Sequence, residues 1–86
     1  MSWKILLIDD DREFLDILSE RLEFRDLDVT TASSAMDAIA LVEKNNYDTV
    51  ILDLQMPQVD GLQALERLRQ VNPSVQVIVL AGHATV

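Results

Sequence analysis

Four short apolar runs, the first three each followed by a stretch of helical periodicity, constrain this chain more than anything else in it. They are KILLI (Lys4 to Ile8), LDVTTA (Leu27 to Ala32), DTVILDL (Asp48 to Leu54) and VQVIVLA (Val75 to Ala81). Strands separated by helices cannot pair as tight hairpins; they run parallel, joined by right-handed crossovers. The order β-α-β-α-β-α-β predicts an α/β open sheet with helices on both faces. LDVTTA, short and half apolar, suits an edge of it.

The intervening segments carry their own start and stop signals. From Arg12 to Phe24, the residues Phe14, Ile17, Leu18 and Leu22 recur at helical spacing, with Asp10 or Asp11 placed as N-cap. Ser33 or Ser34 opens a second helix that runs to about Lys44. Its stripe is Ala35, Ala38, Ile39 and Val42, and Asn45-Asn46 closes it. Asp60 begins a third, where Gln63 is spaced to reach back in a capping-box-like pair. Leu62, Leu65 and Leu68 form its inner face, and Asn72-Pro73 stops it. Met36 and the leucine stripes are expected in the core, and Trp3 over the base of the sheet.

Size and charge narrow the function. The 86 residues make one domain at most, and a chain this short hides only roughly 60 to 70% of its extended surface. Fifteen acids against seven bases give a net charge of −8, which argues against nucleic acid as a direct partner. Without cysteine, neither disulfides nor thiolate metal sites can form. No apolar run approaches the roughly 18 residues of a membrane span, and the N-terminus lacks a signal pattern. Cytoplasmic residence is the expectation.

Carboxylates stand where such a sheet does its chemistry. In open α/β sheets the functional crevice lies beyond the carboxyl ends of the strands, where strand order reverses. Asp9 and Asp10 follow strand 1, and Asp53 closes strand 3. With strand 1 central, strand 2 on one side and strand 3 on the other, the three acids meet in that crevice. Two such charges about 4 Å apart repel by ~4 kcal/mol at an effective dielectric near 20. A hard divalent cation removes the conflict, and magnesium suits carboxylates, waters and a phosphate. Asp53 is then the natural nucleophile towards phosphorus, and the carbonyl of Gln55 is placed to give the metal another oxygen. Taken singly, Asp9-Asp10-Asp11 reads as a capped helix start and Asp53 as a surface acid. Arg12 is placed either to offset part of the charge or as an ordinary surface residue. His83 reads as a solvated loop residue, since no second ligand lies near it.

LLIDDD (Leu6 to Asp11), VILDLQMPQVDG (Val50 to Gly61) and VIVLAGHA (Val77 to Ala84) together resemble the receiver domain of two-component response regulators. The resemblance implies a flavodoxin-like fold with strand order 2-1-3-4 over residues 1–86, about two-thirds of the family's fold, its fifth strand missing. It makes Asp53 the phosphoacceptor. Asp10 and Asp53 bind Mg2+ through side chains, Gln55 through its carbonyl, and Asp9 mainly through water. It also implies a sensor histidine kinase as donor and an effector as target, in transcription regulation. The tail GHATV is similar to receivers of sigma-54-dependent activators. Two departures stand out. Ala81 falls at the switch position, where the family carries Thr or Ser, and no lysine matches the family's lysine on strand 5.

Two rival readings go with these departures. One is a phosphorylation-impaired receiver-like module for binding or dimerisation. The other is an aspartate-nucleophile phosphatase, disfavoured because Gln55 stands where that class has a second aspartate. Strand 4, uncharged and apolar, would lie at a sheet edge open to pairing with another chain. A fragment of a longer regulator, or a homodimer through strand 4, is expected.

Overall fold

The computed structural model describes residues 3–53 and 61–80, and of the side chains at 61–64 nothing is described. The elements are β1 (Lys4–Ile8), α1 (Arg12–Glu23), β2 (Asp28–Ala32), α2 (Ala35–Lys44), β3 (Thr49–Asp53), α3 (Gly61–Val71) and β4 (Gln76–Leu80). All strand pairs are parallel, in the order β2-β1-β3-β4. Architecture and strand order both agree with the sequence expectation.

Strand alternation sorts the core into two layers. On β1, Leu6 and Ile8 join Val50 and Leu52 of β3 beneath α2 and α3, where Ala32, Ala35, Ala38, Val42, Tyr47 and Leu68 complete the cluster. The alanines at 35 and 38, each 1% exposed, let the α2 backbone approach the sheet closely. Ile5 and Leu7 point to the other face, where Leu15, Leu18 and Leu22 of α1 cover them with Val29 and Ile51. β1 is thus apolar on both sides because both sides are buried. Each fully buried leucine contributes about 1.5 to 3 kcal/mol relative to exposure.

The helix ends choose among the signals available. Asp11 caps α1, its carboxylate accepting from the Phe14 N–H, and Ser34 caps α2 through Asp37. After α1 the chain turns through Asp26 at φ 65°, with Asp26 N–H on the Glu23 carbonyl (3.0 Å) and Leu27 N–H on that of Leu22 (3.3 Å). This is a Schellman-type closure with aspartate in the left-handed position that glycine usually takes.

Ile17 of the expected α1 stripe and Met36, expected in the core, both face solvent, as does Phe24 just beyond α1. Ile17 is 49% exposed, Phe24 90% and Met36 74%. At about 100° per residue, Leu15, Leu18 and Leu22 share one narrow arc of α1, whereas Ile17 and Phe24 lie nearly opposite it. Met36 sits about 100° around α2 from Ala35, on its outer side. The inner arc of α1 therefore uses Leu15 in place of Ile17.

Where the strands begin, hydrogen bonds tie the sheet together. The Trp3 indole N–H donates to the Thr49 hydroxyl (2.8 Å), and the Lys4 N–H to an Asp48 carboxylate oxygen (2.8 Å). Asp28 N–H bonds to the Trp3 carbonyl and Asp48 N–H to that of Lys4. Trp3 does cover this rim, half exposed.

Candidate functional site

The site follows from register. Ile8 pairs with Leu52 across β1 and β3, so Asp9 and Asp53 are the next residues on neighbouring strands, whose spacing is about 4.8 Å. Both continue the row of Ile5, Leu7 and Ile51 and so lie towards the α1 face. Strand order reverses between β1 and β3, which makes this rim the topological switch point.

Asp9, Asp10 and Asp53 each present a carboxylate oxygen, and these oxygens lie within 4.8 Å of one another. Asp9 is 1% exposed and Asp53 3%, while Asp10 faces solvent. The convergence expected from sequence is present. Like charges held this close in a shielded pocket favour a counter-cation, and a donor set made only of carboxylate oxygens suits a hard divalent ion over a thiophilic one.

The loop that carries two of these acids is tightly held. Asp9 N–H donates to the Ala32 carbonyl (3.1 Å), and Asp9 Oδ1 accepts from the Asp11 N–H (2.9 Å). This last bond is not among the sequence expectations, in which Asp10 and Asp11 are alternative helix caps. An aspartate two residues before a capping aspartate is the signal that could have shown it. The start of α1 adds a partial positive charge, favourable to carboxylates.

Other sequence candidates divide plainly. Gln55, Asp60, Ala81 and His83 lie outside the described residues, as do the side chains of Leu62 and Gln63. Arg12 is exposed and, among the described residues, forms no ion pair with the aspartates. It lines a separate cavity of about 590 Å³ between α1 and α2, with Asp16, Ser33 and Asp37. The acidic cluster, not that hollow, carries the convergent chemistry.

Fold and pocket together define a doubly wound α/β domain with a carboxylate site at its switch point. The chain belongs to the response regulator receiver domain family, whose model matches residues 5–86. It is 34% identical over all 86 residues to the response regulator MprA of a Mycobacterium species, spanning 37% of that protein. Over 82 residues, 95% of this chain, it is 34% identical to the transcriptional regulatory protein GlrR of Escherichia coli, spanning 18% of it. A CheY-like receiver domain protein from Methanospirillum hungatei superimposes with a TM-score of 0.92 at 28% identity, covering 100% of this chain and 69% of that one. A Burkholderia pseudomallei response regulator solved with a phosphorylated aspartic acid and a calcium ion gives 0.89 at 27% identity, covering 99% and 50%. The chain is thus a receiver domain that spans well under half of the curated relatives it matches. Among the described residues, no helix is long and apolar enough to cross a membrane.

Proposed function

We propose that this receiver accepts a phosphoryl group on Asp53 and relays that change to an effector. The observation that carries the reading is the position of Asp53. It is buried at the end of β3, with carboxylate oxygens of Asp9 and Asp10 within 4.8 Å. The donor is the phosphohistidine of a sensor kinase. An Asp53 oxygen forms the new bond to phosphorus as the P–N bond breaks, and the imidazole leaves with the electron pair and takes up a proton. Asp10 and Asp53, with Asp9 through water and the Gln55 carbonyl, would hold Mg2+, which would supply positive charge against the phosphoryl oxygens. Asp9, fixed by the Asp11 N–H on its Oδ1 and by its own N–H on the Ala32 carbonyl, holds a third carboxylate in the pocket. The chain's own catalysis is confined to this self-directed transfer.

The effector is a transcription regulator in this reading, supported by the relatives' names, and the setting is the cytoplasm. A sigma-54-type activator rests on the tail sequence alone. Pairing of β4 with a second copy rests on its uncharged, apolar sequence alone.

The test is labelling with acetyl phosphate and Mg2+, followed by intact mass. Wild type gains one phosphoryl group, Asp53→Asn gains none, and Ala81→Thr gains it faster or holds it longer. Labelling that persists in Asp53→Asn refutes the assignment. A second reading is favoured by Ala81, which has no hydroxyl to hold a phosphoryl oxygen. In it the domain binds metal and partner without being phosphorylated, and Mg2+ binding with no label in wild type selects it.

A further inference from the structure

We propose that Asp11 is a positioning residue for the cation site. It acts by locking the loop that carries Asp9 and Asp10 onto the start of α1. This deepens the magnesium reading above and rests on it.

Asp11 is held from the helix side at two points. Its carboxylate accepts the Phe14 N–H (3.1 Å), and its carbonyl accepts the Leu15 N–H (3.0 Å). Its backbone is extended, φ −90° and ψ 101°, as an N-cap requires. That geometry aims the Asp11 N–H back along the chain at Asp9 Oδ1, 2.9 Å away. Asp9 is fixed at its other end by its N–H on the Ala32 carbonyl of β2 (3.1 Å). Asp10, the exposed member of the cluster, is therefore strung between two anchored residues. One anchor belongs to the sheet and the other to the helix cap.

Removing the Asp11 carboxylate leaves the Leu15 bond but frees the first turn of α1. The Asp11 N–H then loses its fixed direction, and the Asp9 and Asp10 carboxylates lose their shared focus. Groups that orient ligands without touching the metal commonly matter by about ten- to a hundredfold in affinity. Asp11 also carries a charge, and a charge alone would attract a cation. Cap and charge are separable, because Asn and Ser accept the same N–H bond while neutral.

The experiment is calorimetric titration with MgCl2 of wild type, Asp11→Asn, Asp11→Ser and Asp11→Ala, at low and at physiological salt. Amide exchange at position 11 is followed in the metal-free proteins. At physiological salt, where exposed charges are screened, Asn and Ser are expected to bind within about threefold of wild type. Ala is expected to bind about tenfold more weakly, and it alone exchanges its amide faster. Asp11→Gly, a milder loss of the cap, supplies the same comparison if the alanine variant does not fold. Equal weakening in all three variants that vanishes at higher salt overturns the proposal in favour of plain charge. Binding by Asp11→Ala that matches wild type also overturns it. Absence of Mg2+ binding in wild type overturns the magnesium reading itself, and this inference with it.

Discussion

Asp53→Asn is expected to stabilise the metal-free protein while abolishing its response to magnesium. The carboxylate oxygens of Asp9, Asp10 and Asp53 lie within 4.8 Å of one another, and two unit charges at that distance repel by about 3.5 kcal/mol at an effective dielectric near 20. Asp9 and Asp53 are both nearly sealed from water, so solvent screens that pair little. The contribution of exposed Asp10 is heavily discounted. Replacing a charged acceptor by an amide gives back about 1 to 2 kcal/mol of hydrogen bonding. The balance is a gain of roughly 2 kcal/mol, or about 8 to 16 °C in midpoint for a domain of this length. Magnesium at a hundred times its dissociation constant stabilises wild type by about 2.7 kcal/mol, so the order of the two proteins closes or inverts. Thermal unfolding followed by far-ultraviolet circular dichroism, in EDTA and in MgCl2 at low salt, reads both effects. If the variant melts below wild type in EDTA, and magnesium moves both proteins equally, the electrostatic account of the pocket is wrong.

Two other substitutions test the packing and the turn. Leu68→Ala empties a fully buried site between α3 and the sheet and should cost about 2 to 5 kcal/mol. Met36→Ala, at a site 74% exposed, should stay within about 0.5 kcal/mol; urea denaturation separates them, and equal losses would contradict the assigned faces. Asp26→Gly relieves a left-handed backbone at φ 65° and should raise stability by about 0.5 to 1 kcal/mol. A lowered urea midpoint would count against that conformation.

Sequence alone was enough for the order of elements, because each apolar run was short and bounded, and the first three were each followed by a different period. It was also enough for the meeting of Asp9, Asp10 and Asp53, since parallel connection leaves every strand exit on one rim. The facing of α1 was not legible. Phe14, Ile17, Leu18 and Leu22 make a plausible stripe, but Leu15, Leu18 and Leu22 make a narrower one, and the angle at which the helix leaves its cap decides between them. Met36 misled for a related reason: an apolar side chain at the start of α2 gives no sign of its direction until Ala35 and Ala38 are seen against the sheet. The choice of Asp11 over Asp10 as cap was similarly hidden among adjacent identical residues.

The stitched rim formed by Trp3, Lys4, Asp28, Asp48 and Thr49 lies at the end of the sheet away from the acids. Cohesion is thereby concentrated where the chain enters its strands, and electrostatic discord is concentrated where it exits. A domain divided in this way can have its reactive mouth rewritten, residue by residue, without coming undone at the seam.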